Sequence, residues 1–394
     1  MDYTRALAWL YGTQLFGIKL GLDNMRRLAD ALAIDLARPR FIHVAGTNGK
    51  GSTCAVAASV AQAAGHRTGL FTSPHLVNFT ERIRVDSRPI PARRAAEILT
   101  EIKGVAHGWD PHPTFFEIVT ALALRHFQDN TTDVVLLETG MGGRLDATNV
   151  VTPAATALTS IALDHRQWLG ESLAEIAAEK CGILKPGVPA VSVPQPSGVE
   201  LPTQVALVDA PLAESTPLGL AGPHQRWNAA LALAALRAAG VRLTPEGVAT
   251  GLATANWPGR FQCIGDGRFV LDGAHNPAAA QCLAATWQEQ FPDERATIIF
   301  GAVGGKDIAG ILSALEPLAA RFLFTRPDSP RSADPSGFAS RSPSEICGDL
   351  AASLDRAGVY ADRVLITGSL FLVGEALARL APTSENQVIE VSAQ

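Results

Sequence analysis

Short, almost wholly apolar runs alternate along the chain with longer stretches rich in alanine and leucine. FIHVAG (41–46) leads into TCAVAASVAQAAG (53–65), FEIVTALALRHF (116–127) into DVVLLETG (133–140), and ATALTSIALD (155–164) into SLAEIAAEKCGIL (172–184). The short runs read as strands, while the longer stretches carry helical periodicity. Their alternation predicts an α/β fold on a parallel sheet. After Lys185 the pattern breaks into KPGVPAVSVPQPSGVELPTQ, and helical character returns only at QRWNAALALAALRAAG (225–240). The Pro-rich stretch 185–223 is expected to be a linker or irregular excursion. A second break, ATANWPGRF (253–261), precedes a fresh series of RFVLDGAH, AAAQCLAATWQEQ and ATIIFGAVGG. This places a boundary near Trp257, with one domain over 1–256 and a smaller α/β domain over 257–394. Within the second, RPDSPRSADPSGFASRSPSE (326–345) is expected to be a long surface loop with little regular structure.

Composition narrows the partners. Among 394 residues, 33 Lys and Arg against 38 Asp and Glu give a net charge of −5, with no basic excess for a phosphate backbone. An apolar share of 47% with 18% charge describes a globular chain and argues against wholesale disorder. The five cysteines are dispersed and form no CxxC pair, which suits a reducing compartment. The first residues, MDYTRALAWLYGTQ, contain no apolar signal core, and no stretch reaches 18 uninterrupted apolar residues. The expectation is a cytoplasmic protein without nucleic-acid or membrane partners.

The strongest chemical signal is FIHVAGTNGKGST, an apolar strand and a Gly-rich turn followed by Lys50, Ser52 and Thr53 at the start of a helix. Glycines let backbone N–H groups approach an anion, the helix N-terminus adds a favourable dipole, and a lysine offers charge to outer phosphates. The spacing departs from GxxxxGK[ST]. Val44 stands five positions before Gly49, and Gly51 separates Lys50 from Ser52. The loop therefore indicates a nucleotide without indicating a reaction.

Nucleotide phosphates need Mg²⁺, whose oxygen ligands belong at strand ends beside the loop. Glu138 ends DVVLLE as such a carboxylate, and Ser73 follows another short apolar run. His165 ends SIALDH; taken alone, a single histidine is more often structural than a Mg²⁺ ligand. In GESLAEIAAEKCGIL, Ser172 and Glu175 form a capping box, and Leu173, Ile176, Ala177 and Lys180 share one helical face. A lysine on that apolar stripe snorkels, pairs with a carboxylate, or loses its proton.

The combination HVAGTNGKGST, TSPHLVNFTERIRV, TFFEIVTALAL, LLETGMGGRLDATN, SIALDHRQWLG, AAEKCGILKPG, HQRWNAALAL, PGRF and LDGAHNP resembles the folylpolyglutamate synthase/dihydrofolate synthase family. The resemblance runs from GIKLGL at Gly17 to GSLFLVG near the C-terminus, with the Mur ligases as wider relatives. It implies a Rossmann-like P-loop N-terminal domain, a smaller α/β C-terminal domain, and ATP in the cleft between them. Thr47, Asn48, Gly49, Lys50, Gly51 and Ser52 would cradle phosphates, and Asn228, Arg260 and Asp272 would contact ATP from the facing side. Ser73, Glu138 and His165 fall on the family's magnesium positions, which reverses the reading of His165 taken alone. Lys180 falls on the lysine the family carries as a carbamate.

The implied chemistry is ATP-dependent addition of L-glutamate to dihydropteroate or a reduced folate through an acyl phosphate. By the family pattern it uses two Mg²⁺ ions, with Lys50, Lys180, Arg260 and His275 in catalytic roles. For the pterin substrate the resemblance implies Gly17, Ile18, Lys19, Thr114, Phe116, Leu145, Asp146 and Ala147, although Phe116 equally suits core packing. Arg326 and Arg331 could meet glutamate carboxylates, but a solvated loop is the plainer reading. The short Pro-rich stretch departs from the family pattern and bears on contacts at the site's edge. A P-loop kinase or GTPase would not need the TSPH, EKCGI and LDGAHNP segments, and the GIKLGL and GGRLDATN segments argue against a muramyl-peptide ligase. A monomer is the default expectation.

Overall fold

A computed structural model of the chain describes residues 1–17, 21–339 and 342–382. Ile18 and Lys19 of the expected pterin set lie outside the described residues. The first sheet contains β1 (Arg40–Ala45), β2 (Thr68–Phe71), β3 (Ile83–Val85), β4 (Arg88–Pro89), β5 (Val134–Glu138), β6 (Ala155–Leu158), β7 (Ala190–Ser192) and β8 (Val205–Leu207). Their spatial order is β4-β3-β2-β5-β1-β6-β7-β8.

Both faces of this sheet are covered, which explains the unbroken apolar runs. Phe41, Val135 and Leu137 point into one core, with the helices Tyr3–Gly12, Asp23–Ala31, Ala92–Val105 and Phe115–Asp129. Ile42, Val44, Val134 and Leu136 point into the other, against the helices Lys50–Ala63, Pro223–Ala238 and Pro245–Thr254. Adjacent residues on one strand thus serve opposite cores, as the two-residue repeat of a strand requires.

The second sheet contains β9 (Gln262–Ile264), β10 (Phe269–Leu271), β11 (Ala296–Phe300), β12 (Ala319–Phe324), β13 (Ser344–Ile346) and β14 (Arg363–Thr367), in the order β13-β12-β11-β14-β10-β9. The last helix packed on the first sheet ends at Thr254, and β9 begins at Gln262.

Three features differ from the sequence expectation. Neither sheet is wholly parallel: β3 and β4 form an antiparallel edge on β2, and β9 pairs antiparallel with β10. The stretch 185–223 is not simply a linker. Its β7 and β8 continue the sheet in parallel from β6, and Ala190, Val191 and Ser192 are all buried. Strands of three residues fenced by prolines are too short for periodicity to show. The segment 326–345 likewise runs into the edge strand β13, whose three residues are exposed and carry no apolar signature.

Candidate active site

Parallel strands deliver loops to one edge, and in open α/β sheets the crevice at the C-terminal ends of the strands is where ligands bind. Here β1, β2, β5 and β6 end in the segments carrying Gly46–Lys50, Ser73, Glu138 and Asp164–His165. From the second sheet, β10 ends in Asp272–Asn276, and Lys306 follows β11. A cleft of about 170 Å³ lies between them, lined by Gly46 to Ser52, Ser73, Glu138, His165, Lys180, Asn228, Arg260, Asp272 and His275.

The loop after β1 is held from behind. The amides of Thr47 and Asn48 both donate to the Ser160 carbonyl, at 2.9 and 3.2 Å, and the Thr47 hydroxyl donates to the Ala162 carbonyl at 3.0 Å. The amides of Thr47 and Asn48 therefore brace the loop, and both residues line the cleft. The unpaired helix-start amides are those of Gly49, Lys50, Gly51 and Ser52, since Thr53 makes the first helical bond, to Gly49. Gly49 has φ +90°, and a Cβ there would sit 2.4 Å from Asn228 Oδ1. At Gly51 a Cβ would meet the Trp257 indole nitrogen at 2.9 Å, so the residue that displaces the usual Ser/Thr leaves room for an aromatic from the interdomain segment.

Lys50 Nζ donates to the Thr47 carbonyl at 3.2 Å and lies 4.0 Å from Glu138. Glu138 is buried; desolvation raises its pKa, while Lys50 and the Ser73 amide, at 3.0 Å, oppose the rise. Ser73 thus reaches Glu138 through its backbone. His165 has φ +51° at the start of the short helix Arg166–Leu169. Desolvation, outweighing Asp164 and aided by Lys306, Lys50 and Lys180, lowers its pKa to about 4, leaving a neutral imidazole able to ligate. A carboxylate, a hydroxyl and a neutral imidazole bordering one phosphate loop form a donor set that fits a hard divalent cation.

Lys180 is buried, and its Nζ donates to the Gly46 carbonyl at 2.7 Å. Of the three fates open to it in the sequence, loss of the proton is favoured: desolvation, then Lys50, lowers its pKa to about 7. The unfolded value near 10.5 is higher, so the unfolded chain binds more protons between about pH 7 and 10.5. Stability from this group therefore rises with pH through that window. Lys180→Met is expected to be more stable than the parent at pH 7, with the difference shrinking towards pH 9.5 in urea unfolding. A difference independent of pH would show that Lys180 does not titrate in that window.

Across the cleft, Asp272 is half-buried and spends its carboxylate on the amides of Phe261 and Ala274, both at 2.9 Å. It shapes the turn that carries His275. His275 Nδ1 lies 2.8 Å from the Gly273 carbonyl, which fixes the proton there and leaves Nε2 with its lone pair. Burial, then Lys306, lowers the His275 pKa to about 4. The expected donor is thus a neutral imidazole presenting an acceptor.

Three residues not singled out in the sequence join the two halves. Lys306 pairs with Asp164 at 2.6 Å, and the side-chain amides of Asn48 and Asn276 exchange hydrogen bonds of 3.2 and 2.9 Å. Burial opposes ionisation of Asp164, yet Lys306, His165 and His275 hold it well below the usual carboxylate range. Asp164 and Asn276 stand within SIALDH and LDGAHNP, so proximity to those motifs was the available signal; Lys306, in VGGKD, had none.

None of the expected pterin residues that the structure describes is among those lining the cleft. Gly17 has φ +66° and is exposed at the edge of the described segment. Phe116 packs its ring over Gly140, where a Cβ would come within 2.5 Å, and also borders the first core. Thr114 caps the helix Phe115–Asp129 in a capping box with Glu117. Asp146 is buried, accepting from the amides of Met141 and Thr148 at 2.9 and 3.0 Å, and Ala147 joins the core while Leu145 is half-buried. Thr114 and Asp146 therefore fix backbone. Arg326 pairs with Asp334 of its own loop at 2.9 Å, and Arg331 is exposed; neither lines the cleft.

Residues 44–191 match the Mur ligase middle domain, and 259–370 match the Mur ligase glutamate ligase domain. A Bacillus subtilis dihydrofolate synthase/folylpolyglutamate synthase is 35% identical over 425 aligned positions, covering 96% of this chain and 99% of the relative. The chain belongs to the folylpolyglutamate synthase/dihydrofolate synthase family. Two structures of family members superpose over nearly the whole chain. Escherichia coli FolC in complex with DHPP and ADP gives a TM-score of 0.84 at 32% identity, covering 95% of this chain and 97% of that one. The Yersinia pestis bifunctional folylpolyglutamate synthase/dihydrofolate synthase complexed with AMPPNP and Mn gives 0.86 at 32%, covering 96% and 98%. Among the described residues, no helix is long and apolar enough to cross a membrane.

Proposed function

We propose that the protein is an ATP-dependent ligase that joins L-glutamate to the carboxylate of dihydropteroate, of a reduced folate, or of both. The observation that carries the reading is the single cleft in which Lys50, Glu138 and Lys180 of the first sheet face Arg260 and His275 of the second. We assign 1–256 to the P-loop domain and 257–394 to a C-terminal domain supplying ATP and glutamate contacts. The protein is read as a cytoplasmic monomer.

A carboxylate is a poor electrophile. Attack by its oxygen on the γ-phosphorus of ATP forms an acyl phosphate and releases ADP. The amine of glutamate then attacks the acyl carbon, and the bond from that carbon to the phosphate oxygen breaks as inorganic phosphate leaves. Phosphates lie against the Gly49–Ser52 amides, with Lys50 offsetting charge on the transferring group and Arg260 and Asn228 bordering the nucleotide. His275 Nε2 is the lone pair available to the proton that the amine gives up. Mg²⁺ would be held by Ser73, Glu138 and His165, with a carbamate on Lys180 as a further oxygen donor. Bound there, the ion supplies charge neutralisation to the phosphates. The Lys306–Asp164 pair and the Asn48–Asn276 bridge hold the two halves together, which keeps water from an acyl phosphate.

The deciding experiment is ADP release with Mg-ATP and L-glutamate, run with 7,8-dihydropteroate and with tetrahydrofolate, products weighed by mass spectrometry. One added glutamyl unit on both acceptors is the expected outcome for a bifunctional synthase. Addition to one alone narrows the activity, and no ADP release with either overturns the reading.

A further inference from the structure

Beside the main cleft lies a separate recess of about 40 Å³, between the 72–76 loop, the strand-borne Arg84, and the 257–260 segment. That is space for a small polar group such as a carboxylate rather than for a ring. Ser73, Glu138 and Arg260 line both spaces, so the recess opens beside the reacting groups.

Its charges are uneven. Glu81 lines it but is already met by the amides of Leu76, Val77 and Asn78, at 2.9, 3.1 and 2.7 Å. Glu138 is met by Lys50 and the Ser73 amide. The two arginines have no such match: among the described residues, neither Arg84 nor Arg260 has a carboxylate within ion-pair distance. Arg84 Nε donates to the Glu81 carbonyl at 3.2 Å, and its guanidinium carbon stands 5.5 Å from the centre of the Trp257 ring. Arg260 Nη1 reaches only the Gly259 carbonyl, at 3.4 Å. A guanidinium cannot shed its charge, so two of them at the wall of a small recess leave donors that a carboxylate can satisfy.

We propose that this recess is the subsite for a substrate carboxylate that does not react, with Arg84 as its anchor and Arg260 sharing the charge. The proposal rests on the ligase reading above, under which such carboxylates arrive from two sources. Incoming glutamate carries two, and a reduced folate acceptor carries one on its glutamyl tail beside the reacting group. Dihydropteroate carries none besides the one that reacts. The Trp257 ring, Leu76 and Leu370 complete the wall and limit solvent, which strengthens a charge-assisted contact.

The test is steady-state ADP release by the full chain as Arg84→Met and Arg84→Lys, with glutamate, ATP and each acceptor varied in turn and melting temperature as the folding control. Loss of a charge-assisted contact is expected to raise one KM about tenfold or more in Arg84→Met. Arg84→Lys should recover part of the loss, and the KM for ATP should stay within about twofold of the parent. If the KM for glutamate rises with both acceptors, the recess holds the incoming amino acid. If the KM for tetrahydrofolate rises while that for dihydropteroate does not, it holds the acceptor's tail. Unchanged KM values, or a KM for ATP that rises in step, overturn the subsite while leaving the ligase intact. A parent enzyme without glutamate-dependent ADP release overturns both.

Discussion

Lys180→Ala is expected to keep the fold and to lower glutamate-dependent ADP release by about 10- to 100-fold, the scale seen when groups supporting a metal site are removed. The side chain is buried, bonded to the Gly46 carbonyl at the base of the phosphate loop, and titrates near 7. It is therefore close to half neutral at pH 7, and the neutral amine is the form that adds CO₂ to become a carbamate. Under the proposed reading, that conversion would turn a buried cation beside Lys50 into an anion. The cause of the lowered pKa, burial and then Lys50, is also the reason an anion is more favourable there. A short-chain carboxylate such as acetate is expected to enter the space left by alanine and restore part of the turnover. Full activity without added carboxylate would remove the carbamate from the mechanism. Loss that no carboxylate rescues would leave Lys180 with its bond to Gly46 as its only role.

Much of the fold was legible because its central strands are buried on both faces. Phe41 to Ala45 and Val134 to Glu138 announce themselves as apolar runs, and the helices between them carry their own periodicity. What escaped lies where burial is partial or elements are brief. The three-residue β7 and β8 sit among prolines, and β13 shows exposed residues only. Pairing direction also escaped, because Ile83–Val85 reads the same whether it joins β2 parallel or antiparallel.

The candidate site was legible in residue identity more than in role. Lys50, Glu138, Lys180, Arg260 and His275 all reach one cleft, yet the hydrogen-bond ledger altered what several can do. Thr47 and Asn48 spend their amides on Ser160, and Asp272 spends its carboxylate on its own turn. The tautomer of His275 follows from the Gly273 carbonyl. No spacing rule encodes such partners: Ser160 comes from a distant loop, and the bonds of Asp272 and His275 depend on how their own turn folds. The same holds for Lys306, whose carboxylate partner Asp164 is 142 residues away.

Lys50→Met is expected to lower kcat by ~100- to 1,000-fold, the effect of deleting one preorganised group that faces charge developing in a transition state. Methionine keeps most of the stem and a good helix propensity, so the helix Lys50–Ala63 should start where it does now. Its neighbours define what is lost. The ammonium lies between the Thr47 carbonyl and Glu138, and with the free amides of Gly49 to Ser52 it would be the charged member of the proposed phosphate cradle. Charge on the transferring phosphoryl group is greatest at the transition state, so the loss should fall on kcat, with the KM for glutamate within about twofold of the parent. Rapid-mixing measurement of ADP formation in a single turnover separates this from slow product release. A variant that forms ADP at the parent rate would place the phosphates away from Lys50 and return the loop after β1 to a structural turn.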